Sequence, residues 1–160
     1  MTPIPIAVVG AGPWGRTVAT AISVTRGVSL AALVSSDRDV RMPVTSPVPV
    51  YRTWREAVEG TDVSVFVLAV PPMYQPKIAR ELIENGLPVM LEKPMATTVA
   101  DAKSIRRGAE THGFTGLVNH LHLYAPAFRT LLARVADEPG ERHIRTTAGA
   151  RGPYRAGWTP

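Results

Sequence analysis

Gly10, Gly12 and Gly15 stand in the order G-x-G-x-x-G, with Ala11, Pro13 and Trp14 between them, directly after the apolar run Ile4–Val9. Placed between a strand and a helix, this spacing makes a cradle for a pyrophosphate. Gly10 allows the tight turn, Gly12 lets the backbone approach the ligand, Gly15 brings the helix close to the strand, and the helix N-terminus faces the phosphates. Glu92-Lys93-Pro94 follows the apolar residues 87–91. A lysine at the carboxyl end of a strand is placed to take the proton of a substrate hydroxyl as hydride leaves its carbon. Ser35 and Ser36 close a second apolar run, Val28–Val34, at the position where a carboxylate would bind the 2′-hydroxyl of an adenosine ribose. Two hydroxyls there, with Arg38 and Arg41 behind them, suit a 2′-phosphate and favour NADP over NAD; Asp37, one residue on, keeps NAD open.

Other chemistry is narrowed by what the chain lacks. With no cysteine among its 160 residues, disulfides, thiolate metal sites and cysteine nucleophiles are excluded. His120 and His122 alternate along what reads as an extended segment, so they face opposite sides and do not form one metal site. His120, nearer the strand end, is the candidate for a catalytic role beside Lys93, whereas His112 and His143 read as surface residues. No metal site is expected. The net charge of +5 would admit nucleic acid, but the arginines are scattered among acids and no helix-turn-helix or aromatic-basic motif accompanies them.

The elements that must hold these residues follow from periodicity. After the glycine turn, residues 12–25 carry apolar side chains at helical spacing, and 48–51 are at most a short strand after a proline-punctuated loop. Thr53 to Glu56 is a capping-box pattern that predicts a helix over 54–59. Residues 63–70 are the most apolar run, as in a strand buried on both faces, and Pro71 and Pro72 stop it. Helix 75–85, strand 87–91, helix Val99–Thr111 and strand 114–118 continue the alternation, which builds a parallel sheet with helices on both faces. An amphipathic helix over 123–135 and a strand over 141–148 follow. Hydrophobic residues make up 45% of the chain, enough for one core, yet no run reaches the ~20 apolar residues of a membrane-spanning helix. The N-terminus has no signal-peptide pattern. A cytoplasmic location with no membrane partner is the expectation.

The segments VVGAGPWG, VSVFVLAVPP, EKP within VMLEKPMATT, and VNHLHLYAPAF, in that order, resemble the N-terminal half of the Gfo/Idh/MocA oxidoreductases, the glucose-fructose oxidoreductase and inositol dehydrogenase family. The resemblance implies a Rossmann-type doubly wound α/β sheet over residues 1–120, with 121–160 as a linker helix and the beginning of a second α/β domain. It implies a dehydrogenase using NAD or NADP on a sugar, inositol or related polyol. Gly10, Gly12, Pro13, Trp14 and Gly15 would line the pyrophosphate, and Ser35, Ser36 and Arg38 the adenosine ribose. Pro71 and Pro72 would lie beside the nicotinamide and Glu92 at its ribose; Lys93 would be the catalytic lysine, with Pro94 after a cis peptide bond. Gln75 replaces a histidine usual in the family and is expected to be a changed contact to cofactor or substrate. Asn119-His120-Leu121-His122 departs from the family pattern as well. The family's second domain completes the active site and often forms a dimer, so a homo-oligomer is expected, and Trp158-Thr159-Pro160 falls where that domain would be starting. The alternative is a non-catalytic nucleotide-binding module or redox-sensing regulator.

Overall fold

The structure, a computed structural model, describes residues 2–37, 39, 40, 44, 47–114, 116–136 and 140. The expected strand over 141–148 and the arginines Arg38 and Arg41 lie outside them. Residues 1–121 form one compact unit and 122–160 another. The first unit is a six-stranded, all-parallel sheet: β1 (Ile4–Val9), β2 (Val28–Val34), β3 (Val50–Tyr51), β4 (Val65–Leu68), β5 (Val89–Glu92) and β6 (Leu117–Asn119), in the spatial order β3-β2-β1-β4-β5-β6. Its helices are α1 (Pro13–Val24), α2 (Trp54–Gly60), α3 (Gln75–Glu84) and α4 (Val99–Thr111). The sheet is a Rossmann-type α/β fold.

Two apolar clusters hold it from opposite faces. On one, Val18, Ala19 and Ile22 of α1 pack on Val8, Leu33 and Val67. On the other, Ala57, Leu82, Ile83 and Ile105 of α2, α3 and α4 cover Phe66, Leu68 and Leu91. Central strands buried on both sides must be apolar throughout, which is why β1 reads Ile-Pro-Ile-Ala-Val-Val and β4 Val-Phe-Val-Leu. Helix starts follow local chemistry. Thr53 Oγ1 accepts from the Glu56 N–H at 3.2 Å, Thr98 Oγ1 accepts from the Asp101 N–H at 3.1 Å, and Pro13 occupies the first turn of α1, where its missing N–H costs nothing.

Several boundaries differ from the sequence reading. The apolar run 63–70 pairs only over Val65–Leu68, because apolarity marks burial rather than ladder hydrogen bonds. The strand read as 87–91 is Val89–Glu92: the charged residue ends the strand rather than following it. The strand read as 114–118 is Leu117–Asn119. The segment read as one helix over 123–135 is a 3-10 turn, Leu121–Tyr124, and then a helix α5, Pro126–Ala136, since Pro126 disfavours helical backbone before it and suits a first turn. His122 sits in that turn, so the alternation expected of His120 and His122 does not occur.

Trp54 ties α2 to the core and to α3. Its ring meets Phe66 edge-on at 6.4 Å between centroids, and its Nε1–H donates to Glu81 Oε2 at 3.1 Å. Arg55 donates to the same oxygen at 3.1 Å, with its guanidinium 4.2 Å over the Trp54 ring. The Trp54 N–H, and behind it the Arg55 guanidinium, hold the Glu81 carboxyl below its ordinary range, against the partial burial that pushes it up. A carboxylate with a depressed folded pKa stabilises the fold above its unfolded pKa and loses that contribution as pH falls through the folded one. Glu81→Gln therefore costs about 1 kcal/mol at neutral pH, measured by urea unfolding. The difference from wild type closes as pH falls below the usual glutamate range and through the lowered folded pKa; a gap undiminished in acid would exclude the carboxylate as its source.

Candidate functional site

The strand order reverses between β1 and β4, and in open α/β sheets that reversal opens a crevice beyond the carboxyl ends of the strands. The glycine turn lies there. Gly10 has a φ of +105° and donates its N–H to Val34 O at 2.9 Å; a Cβ on it would collide with the Ala69 carbonyl at the end of β4. A Cβ on Gly15 would collide with the Gly10 carbonyl. Gly12 is different, for nothing lies within 4 Å of the Cβ it lacks. Its backbone is extended and it caps α1, whose N-terminus has no side-chain cap. The first N–H groups of a helix have no intrahelical partner. The arrangement is therefore an open backbone cradle at the positive end of a helix dipole, an environment that favours an anion. Trp14 also borders an apolar groove of about 530 Å³ with Val18, Val67, Met90 and Leu117, a surface with too few polar groups to hold phosphate.

At the end of β2 the chain turns on local bonds. Ser35 donates its N–H to Tyr51 O at 2.8 Å and its hydroxyl accepts from the Asp37 N–H at 3.1 Å. Asp37 Oδ1 accepts in turn from the Asp39 N–H at 2.9 Å. Ser36 is exposed.

The opposite wall of the crevice is the β4–β5–β6 edge. Pro71 is exposed and Pro72 half-buried just beyond β4. Gln75 is not where a ligand contact belongs: its side chain is fully buried. Its Oε1 accepts from the Glu92 N–H at 2.9 Å, and its Nε2 donates to Glu92 O at 3.1 Å and Pro94 O at 3.0 Å. The expected role of Gln75 as a cofactor contact is thus replaced by an internal one, because all its donors and its acceptor are spent on the backbone. The Glu92 side chain is buried, and Oε1 accepts from Asn119 Nδ2 at 2.7 Å, the two residues being direct partners in the β5–β6 register. Sequence reasoning left Asn119 without a role. The available signal was a strand-end acid, which needs a donor on the neighbouring strand if it is buried. Lys93 and Pro94, joined by a cis peptide bond, are exposed. His120 is exposed immediately after β6, its N–H donating to Val118 O at 2.9 Å.

An open backbone cradle, a turn of hydroxyls one strand away and a strand-end lysine across the crevice fit an extended dinucleotide better than a compact phosphate ester. Among the described residues no three His, Asp or Glu side chains are placed to hold a metal ion, and no helix is long and apolar enough to cross a membrane. Residues 4–120 match the family model GFO_IDH_MocA, described as an oxidoreductase family with an NAD-binding Rossmann fold. No curated protein matches the chain. Among solved structures, GenD2 from gentamicin A biosynthesis, in complex with NAD, is 27% identical with a TM-score of 0.78, over 86% of this chain and 40% of that one. A myo-inositol 2-dehydrogenase from Lactobacillus plantarum (17% identity, TM-score 0.73, 85% of this chain, 42% of that) shares the fold. So does a variant of KijD10, a 3-ketoreductase from Actinomadura kijaniata solved with TDP-benzene and NADP (20%, 0.73, 85% and 44%). The chain spans about two fifths of the length of each of these proteins. It belongs to the Gfo/Idh/MocA oxidoreductases, as their NAD-binding Rossmann domain.

Proposed function

We propose that the chain is the cofactor-binding part of an NAD(P)-dependent dehydrogenase acting on a secondary alcohol of a sugar, inositol or related polyol, or reducing the corresponding ketone. The observation that carries the reading is the pairing of an open helix-terminal cradle at Gly12 with an exposed lysine on the edge across the same crevice. The nicotinamide ring supplies the hydride acceptor or donor. Gly10, Gly12, Pro13, Trp14 and Gly15 hold the pyrophosphate, chiefly through backbone N–H groups and the α1 dipole. Ser35, Ser36 and Arg38 meet the adenosine ribose, and their hydroxyl and guanidinium donors favour NADP over NAD. Pro71 and Pro72 flank the nicotinamide side, with the Glu92 carboxylate at its ribose. Lys93 takes the proton from the substrate hydroxyl oxygen when the alcohol is oxidised and returns it when the ketone is reduced. His120, exposed at the end of β6, is the second candidate for that edge.

Two structural neighbours support the substrate class, a myo-inositol 2-dehydrogenase and a 3-ketoreductase solved with TDP-benzene and NADP. We read residues 1–120 as the cofactor domain and 121–160 as the opening of a substrate domain, through which the whole protein pairs with a second copy. Hydride transfer needs the substrate held near attack geometry. In this reading that task falls to the substrate domain.

Calorimetric titration separates this from its rivals: NADP and NAD both bind, NADP more tightly, and FAD does not. Tight FAD binding, or no response to either nicotinamide cofactor, overturns the reading. The glycines then divide by role. Gly15→Ala loses about 1–3 kcal/mol of stability through its collision with the Gly10 carbonyl. Gly12→Ala unfolds at nearly the wild-type temperature but binds NADP about tenfold or more weakly, because the new methyl fills the cradle. In a protein carrying the complete substrate domain, Lys93→Ala lowers kcat by roughly 10²- to 10⁴-fold with little change in cofactor affinity. Unchanged turnover would remove the lysine from the mechanism.

A further inference from the structure

The paired register of β4 and β5 ends at Leu68 opposite Leu91, one residue short of Glu92. Phe66 donates its N–H to Pro88 O at 2.7 Å, so Pro88 faces β4. Backbone groups alternate sides along a parallel ladder, and Glu92, four residues on, turns its N–H and C=O the same way. Leu68, opposite Leu91, is the last β4 residue in register, and at Glu92 the Gln75 side chain joins the end of the ladder, accepting from the Glu92 N–H and donating to the Glu92 C=O as a peptide group of a neighbouring strand would. Its second Nε2 proton reaches past Lys93 to Pro94 O.

We propose that Gln75 is a positioning residue, whose amide continues the β4–β5 ladder beyond the end of β4 and thereby sets the direction in which Lys93 leaves the sheet. Three backbone atoms on the two sides of Lys93 are fixed by one buried amide, while the lysine itself is exposed. A primary amide suits this because it offers one acceptor and two donors on a planar group. A glutamate has no donor, and a histidine has two ring nitrogens for three backbone atoms. The inference rests on the reading of Lys93 as the proton carrier, and adds what aims it.

The chain has three lysines, Lys77, Lys93 and Lys103, so lysine labelled with ¹³C at Cε gives three signals, assigned through Lys77→Arg and Lys103→Arg. On saturation with NADP the wild-type Lys93 signal shifts, because the lysine points at the cofactor edge. In Gln75→Met, which keeps the length and removes the hydrogen bonds, that shift falls to about half or less as the lysine loses its fixed direction. NADP affinity by calorimetry stays within about threefold, since the distant cradle carries it. Gln75→His, with part of the bond set, gives an intermediate shift. A full wild-type shift in a folded Gln75→Met overturns the positioning role and leaves the Lys93 reading intact. Failure of the wild-type Lys93 signal to respond overturns both. Should neither variant fold, exchange of the Gln75 side-chain amide protons in the wild type decides: protons exchanging as fast as those of an exposed side-chain amide overturn the inference, and protected ones support it.

Discussion

Two backbones approach in this fold more closely than any side chain would permit, and the crevice exists because of it. The β1–α1 turn rests on the end of β4 only because Gly10 leaves space for the Ala69 carbonyl, and α1 returns over the turn only because Gly15 leaves space for that of Gly10. A methyl at either position would lift α1 from the sheet or part the two central strands. The same contact lies where the strand order reverses, so the requirement of the fold and the place for a ligand coincide. Gly12 is the glycine this packing does not need. Its open surroundings set it apart from the two that the chain's own packing requires.

Across the crevice the constraint is electrostatic rather than steric. Burying the Glu92 carboxylate without partners would cost several kcal/mol. β6 meets that cost by adding to the sheet in the register that sets Asn119 opposite Glu92, and α3 meets the needs of its backbone through Gln75. β6 and α3 thus converge on one residue of β5 next to Lys93, whose own side chain is exposed.

Much of the molecule was legible because its signals are local. Glycine spacing, the valine-rich runs and the threonines at 53 and 98 report on their own few residues, and the sheet, its helices and the cradle followed from them. Gln75 misled for the opposite reason. A polar residue at the start of a helix reads as facing solvent or ligand; its complete burial depends on where α3 begins relative to the end of β5, and its hydrogen bonds reach residues 17 and 19 positions away. The Glu92–Asn119 pair spans 27 positions and is set by sheet register, which no short pattern encodes. The strand limits at 63–70 and 87–91 erred because apolar runs record burial, whereas pairing stopped early in β4 and continued onto a charged residue in β5.

This difference between local and distant support divides the crevice by how freely it can change. The turn after β2 holds bonds between residues two apart, from Ser35 to Asp37 and from Asp37 to Asp39, and Ser36, Asp37 and Asp39 are exposed there. Replacing a hydroxyl by a carboxylate there changes the local charge without disturbing the sheet. At the β5 edge no such freedom exists, for a change at Gln75, Glu92 or Asn119 strands a buried polar group on another element. The charge of the β2 turn is therefore separable from the geometry of the β5 edge. A fold arranged in this way can change the one while the other stays as it is.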